Sequence, residues 1–180
     1  MPLSTLIAFA SMALTSDAAG TLPPPMLMAR GAVNEQVLIG QVLLSHNAER
    51  RRVGLPPLAW DPALATGARA YSNELARNGQ LRHSPKLVRP GIGENLWKGT
   101  TGYFSPAVMV GNWASERSMF RAGRFPDVSA TGNWADVGHY TQIIWPTTQR
   151  VGCSISRSVR DDVLVCRYWP SGNVMNKPVP

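Results

Sequence analysis

The 180-residue chain is 44% hydrophobic and carries a formal charge of +7, from 18 Lys and Arg against 11 Asp and Glu. That length buries one sizeable core and excludes two domains of ordinary size. The basicity favours anionic partners, such as acidic lipid head groups, cell-surface polymers or nucleic acid, without choosing among them.

Residues 1–18 read as a signal peptide: an apolar run from Leu6 to Leu14 precedes Ser16-Asp17-Ala18, a small-x-small cleavage site. No Lys or Arg comes before Arg30, so the positive n-region is reduced to the amino terminus, and a disordered or lipid-facing tail is the competing reading. No other stretch approaches the ~20 apolar residues of a membrane span. Residues 19–33, which include Pro23-Pro24-Pro25, read as an extended linker, and residues 34–176 as the domain.

Within the domain, Asn34 is placed to cap a first helix that turns Val37, Leu38, Val42 and Leu44 inward. Arg50-Arg51-Arg52 reads as its solvated end and Gly54 as its terminator. Asp61-Pro62, a cap followed by proline at the first helical position, opens a second helix with Leu64, Ala68, Tyr71 and Leu75 on one face. Asn78-Gly79 stops it. Ser105-Pro106 opens a third in the same way, predicted to run through Val110, Trp113 and Phe120, with Glu116 on the side of Trp113. After a Gly- and Pro-rich loop, Tyr140–Trp145, Arg150–Ser156 and Val163–Trp169 are rich in β-branched and aromatic residues and read as strands, with Asp161-Asp162 at an antiparallel hairpin. Helices followed by strands argue for an α+β fold, an antiparallel sheet covered by helices.

The two cysteines, Cys153 and Cys166, fall on the last two predicted strands as cross-strand neighbours. In an exported protein such a pair oxidises; two buried free thiols is the alternative. Neither is a good candidate nucleophile. Among the three histidines, His83 and His139 stand out, and with Glu94 and Glu116 they supply donor types that suit a divalent cation. Their wide spacing, unlike a compact H-E-x-x-H motif, does not by itself join them in one site. Trp60, Trp97, Trp113, Trp145 and Trp169 read as core or cleft walls.

Longer segments narrow the reading. Gly138-His139-Tyr140-Thr141-Gln142-Ile143-Ile144-Trp145 and Val165-Cys166-Arg167-Tyr168-Trp169-Pro170-Ser171-Gly172-Asn173-Val174 resemble the two signatures of the CAP superfamily, the cysteine-rich secretory, antigen 5 and pathogenesis-related 1 proteins. Gly93-Glu94-Asn95-Leu96-Trp97, His46-Asn47-Ala48-Glu49-Arg50 and Leu58-Ala59-Trp60-Asp61-Pro62 are similar to further family segments, in family order. The resemblance implies a three-layer α-β-α sandwich with a central antiparallel sheet. It also implies a cleft where His83, His139, Glu94 and Glu116 converge on Zn2+ or another divalent cation, the histidines as the direct ligands. A polar network that only fixes the loops is the structural alternative. His46 is assigned to structure.

Three functions fit such a chain. One is a secreted, or in a bacterium periplasmic, binding module for a sterol, a fatty acid or an anionic surface in defence or host interaction. Another is a metal-dependent hydrolase with Glu94 or Glu116 as base. The last is a secreted receptor ligand. The binding module is preferred to an enzyme, a monomer is expected, and export makes nucleic acid a poor partner.

Overall fold

The computed structural model describes residues 34–180; the predicted signal peptide and linker lie outside the described residues. Among the described residues, four α-helices and six strands follow in the order α1 (Glu35–Arg52), β1 (Ala59–Trp60), α2 (Pro62–Asn78), β2 (Gly93–Thr100), α3 (Pro106–Ser115), β3 (Gly123–Arg124), α4 (Gly138–Ile143), β4 (Arg150–Arg157), β5 (Asp161–Trp169) and β6 (Pro178–Val179).

The first three helices begin where their caps require. The Asn34 side chain accepts from the amides of Gln36 and Val37, that of Asp61 from Ala63 and Leu64, and that of Ser105 from Val108. Each thereby satisfies amides that have no partner within the helix. Gly79 ends α2 in the left-handed conformation at φ 66°, which a residue without Cβ adopts without strain.

Four strands form the main sheet in the order β1-β4-β5-β2. β4, β5 and β2 are antiparallel neighbours, but Ala59 and Trp60 of β1 run parallel to Arg150 and Val151, so the sheet is mixed rather than purely antiparallel. A second, two-stranded sheet pairs β3 with β6, carrying ordered structure past residue 176. Residues alternate between the faces of the main sheet. Val163 and Val165 pack with Leu96 against Ala68, Tyr71 and Leu75 of α2. Leu164, Cys166 and Tyr168 face the larger core with Val42, Val110, Trp113 and Ile143, from α1, α3 and α4. Helix, sheet and helices therefore make three layers. Cys153 and Cys166 are register partners in β4 and β5 and are disulfide-bonded, with Cα atoms 4.1 Å apart.

Several local expectations change. Tyr140–Trp145 is not a strand: its first part belongs to α4. The third helix ends at Ser115, and Glu116–Met119 continues as a 3-10 turn. Leu38 and Val42 are buried as predicted, whereas Val37 and Leu44 face solvent. Asp161 and Asp162 lie within β5, and Ser158–Arg160 makes the turn. Arg50 is no solvated helix end. Its side chain is 1% exposed and donates to the carbonyls of Pro56, Ile143, Trp145 and Thr148, tying α1 to the C-terminal end of α4. Four acceptors in range of one planar, forked cation explain why the charge is retained inside.

Candidate functional site

The predicted site residues gather around the start of β2, as two histidine–glutamate pairs. His83 lies on the segment after α2, where the Tyr71 hydroxyl donates to the Arg82 carbonyl at 2.7 Å. Its Nδ1 meets Glu94 Oε1 at 3.0 Å. On the other side of the sheet His139, in the first turn of α4, places Nδ1 2.6 Å from Glu116 Oε1. The two arms are joined where Asn95, next to Glu94, donates its side-chain amide to the His139 carbonyl at 3.1 Å. Among the described residues, no group of three or more His, Cys, Asp and Glu side chains is close enough to hold a metal ion. The four residues thus form two pairs rather than one compact ligand cluster.

Each glutamate is held from several directions. The Glu94 side chain is wholly buried and also accepts from the Ser84 amide at 2.9 Å and the Ser84 hydroxyl at 2.7 Å. Arg89 and Arg167 stand 3.7 and 3.8 Å away. Burial alone would raise its pKa, but the hydrogen bonds from His83 and Ser84 and the charge of Arg89 outweigh burial and hold the carboxyl below its usual range. Glu116 accepts from the backbone amides of His139 and Tyr140, both at 3.0 Å. It thereby satisfies two of the free amides at the start of α4.

With Nδ1 of both rings directed at a carboxylate oxygen, which can only accept, Nδ1 is the donor in each pair and Nε2 is the nitrogen left for another partner. Neither Nε2 has a hydrogen-bond partner among the described residues. The His83 side chain is 54% exposed and that of His139 33%, so both face solvent while their carboxylates do not. Trp113 stacks on the His139 ring at 5.9 Å with 14° between planes, and its Nε1 donates to the Leu96 carbonyl. Carboxylate–imidazole pairs with an open Nε2 are the outer-shell arrangement that orients metal-binding histidines, so the donor types suit a divalent cation while the two pairs stand apart in this structure.

Ser84, Arg89, Arg167 and Trp113 hold the pairs in place and were not predicted as part of them. The sequence signal available was the nearness of Ser84 and Arg89 to His83 along the chain; Arg167 and Trp113 reach the pairs only through the fold. His46, by contrast, is structural as predicted: it is buried, donates Nδ1–H to the Val42 carbonyl at 2.8 Å and accepts at Nε2 from the Tyr168 hydroxyl at 2.9 Å. Burial lowers its pKa to about 4.

The two signature segments also meet here, and their residues serve the scaffold. Thr141 donates to the Asn173 side chain at 2.7 Å, Asn173 donates back to the Gly138 carbonyl at 2.8 Å, and the Gly172 amide donates to Gln142 at 2.9 Å. Gly93 sits so close to Gln142 that a Cβ there would lie 2.1 Å from its side-chain oxygen. These bonds seat α4, and with it His139, against β2 and the segment after β5.

Comparison with known proteins bears on the family and the fold. The model of the CAP cysteine-rich secretory protein family matches residues 43–168. Pathogenesis-related protein 1C of Nicotiana tabacum is 34% identical over 134 residues, 74% of this chain and 75% of that protein. Pathogenesis-related protein 1 of Arabidopsis thaliana is likewise 34% identical over 134 residues, 74% of this chain and 76% of that one. Among solved structures, NaASP2 with Zn2+ superposes with a TM-score of 0.68 at 23% identity, over 82% of this chain and 86% of that one. Venom allergen-like protein 4 of Schistosoma mansoni does so with a TM-score of 0.59 at 21% identity, over 82% of this chain and 96% of that one. With the helix–sheet–helix layers, the interlocked signature segments and these matches in hand, the chain belongs to the CAP family.

Proposed function

We propose that this CAP domain is an exported binding module in which a divalent cation such as Zn2+ is held by Nε2 of His83 and His139, with water completing its shell. The observation that carries this reading is the shared orientation of the two rings. Both give Nδ1 to an anchored glutamate, keep Nε2 free of partners among the described residues and have partly exposed side chains. Two protein ligands leave open positions, so the bound ion would supply an electrostatic anchor for an oxygen-bearing ligand. The expected cargo is an amphipathic molecule of the sterol or fatty-acid class. The disulfide supports an oxidising, extracellular or periplasmic location.

The same geometry argues against the hydrolase alternative. A general base must reach a water molecule with a free lone pair. Glu94 already accepts from His83 Nδ1 and twice from Ser84, and Glu116 from His139 Nδ1 and two backbone amides. Each carboxylate thus commits three of its roughly four lone-pair sites to positioning, and Glu94 is wholly buried, which leaves little capacity to activate a water. Calorimetric titration with Zn2+ of the wild type and of His83→Ala/His139→Ala tests the proposal. Saturable binding lost in the folded double variant is the expected result, and an unchanged isotherm in the variant would refute it. A peptide-library digest with and without Zn2+ tests the alternative: cleavage abolished by Glu94→Gln or Glu116→Gln would restore the hydrolase.

A further inference from the structure

The tip of the β4–β5 hairpin is far from the histidine pairs in the fold. β2 runs antiparallel to β5 with Gly93 opposite Tyr168 and Thr100 opposite Asp161, so the site lies at one end of this strand pair and the tip beyond the other. The turn Ser158–Arg160 is braced by hydrogen bonds. Ser158 donates its amide to the Asp161 carbonyl at 2.7 Å, its hydroxyl accepts from the Asp161 amide at 2.9 Å, and Thr101 donates its amide to the Arg160 carbonyl and its hydroxyl to the Ser158 carbonyl. A braced turn would ordinarily carry polar residues. Here it presents Val159 with 97% of its surface exposed.

Cations surround this apolar tip. Grooves of about 480 and 430 Å3 lie on its two sides, the first lined by Asn73, Ala76, Arg77, Arg157, Ser158 and Val159 and the second by Thr101, Arg157, Ser158 and Val159. The neighbouring acids are matched by partners. Asp162 is fully buried under Arg157 and the Gly102 amide, Asp161 lies 3.7 Å from Lys98, and Glu74 lies 3.6 Å from Arg82. Arg77 and Arg160 have no carboxylate partner among the described residues, so the tip carries surplus positive charge. In the first groove, Asn73 accepts at Oδ1 from the Ser156 hydroxyl at 2.7 Å, which leaves its Nδ2 as a donor beside Arg77.

We propose that this hairpin tip docks on an anionic phospholipid surface. Head-group phosphates are taken by Arg77, Arg160 and the Asn73 amide, and Val159 enters the boundary between head groups and acyl chains. Cationic side chains around an apolar residue match the charge and polarity profile of such an interface. The exposed valine distinguishes a lipid surface from a soluble phosphate, which offers it nothing apolar. The inference is independent of any cation at His83 and His139.

Co-sedimentation with vesicles of phosphatidylcholine alone and of phosphatidylcholine mixed with phosphatidylserine tests it. Arg77→Glu/Arg160→Glu is compared with Arg51→Glu/Arg121→Glu, which makes the same charge change elsewhere; Arg51 is at the far end of α1, whose first residue, Glu35, lines a groove shared with Arg157. The expected result is binding only to the mixed vesicles, weakened about thirtyfold in the tip variant and less than about threefold in the control. Val159→Asp should weaken binding about tenfold, and all these side chains are exposed, so the unfolding midpoint should hold. Equal losses in tip and control variants would reduce the effect to overall charge and overturn the proposal. So would undiminished binding of the tip variant. Wild-type binding by Val159→Asp would overturn the lipid assignment in favour of a soluble phosphate ligand.

Discussion

Replacing Arg50 by Met should be among the most damaging single changes in this fold, and its cost can be worked from the carbonyls left behind. Arg50 serves four acceptors, on Pro56, Ile143, Trp145 and Thr148, at 2.7 to 3.0 Å. Of these, the Trp145 carbonyl keeps a second donor, the Thr148 amide at 3.2 Å. The other three lose the hydrogen bond that Arg50 supplied. A buried acceptor left without a donor costs about 1–3 kcal/mol, so after partial relaxation and recovered apolar burial the net loss should be about 4 kcal/mol. For a domain of this size that lowers the melting temperature by roughly 12 °C. Urea unfolding followed by tryptophan fluorescence, with thermal circular dichroism, reads both quantities. Arg50→Lys keeps the charge without the planar fork and should lose about half as much. A loss below about 1 kcal/mol for Arg50→Met would show that the buried network is dispensable and would refute the reasoning.

Other perturbations probe separate parts of the structure. Neutral burial of His46, with its pKa lowered to about 4, means that the unfolded chain binds the extra proton between that value and 6.5. The contribution is complete above pH 6.5 and is lost as the pH falls towards 4, to a total of about 3 kcal/mol, and His46→Gln should flatten that slope in urea titrations at stepped pH. Reducing the Cys153–Cys166 bridge, or replacing both residues by Ser, should destabilise by about 3 kcal/mol in chemical denaturation. Glu116→Gln keeps the shape of the pair but lets an amide face His139 Nδ1, and by calorimetry it should weaken Zn2+ binding about 10- to 100-fold.

Much of the architecture was readable because its signals are local. Asn34, Asp61-Pro62 and Ser105-Pro106 mark helix starts by chemistry confined to a few residues, and the β-branched runs on either side of Ser158–Arg160 mark a hairpin. What was missed depends on distant partners. Tyr140–Trp145 has the composition of a strand, yet Thr141 and Gln142 are claimed by Asn173 and Gly172, and Arg50 engages the carbonyls of Ile143 and Trp145, so tertiary bonds hold a helix there. The burial of Arg50 was unreadable for the same reason: three of its acceptors lie more than ninety residues away. Gly93–Thr100 contains Gly, Glu, Asn and Lys, poor strand formers that nonetheless pair with β5, where tertiary burial of residues such as Leu96 overrides local propensity. The four site residues were noted by their donor types, and their joining into one cleft was implied by the family resemblance alone. Their division into His83–Glu94 and His139–Glu116, with Ser84 and Trp113 as supports, comes from the three-dimensional packing.

The central claim is that both histidines present a bare Nε2 to a cation, and nitrogen-15 NMR of the imidazole rings tests it most directly. In metal-free protein the neutral form of each ring, His83 and His139, should be the tautomer that keeps its proton on Nδ1 against its glutamate, and added Zn2+ should move both Nε2 resonances together with saturation. A neutral form protonated at Nε2 in either ring, or Nε2 resonances that do not respond to Zn2+, would contradict the account.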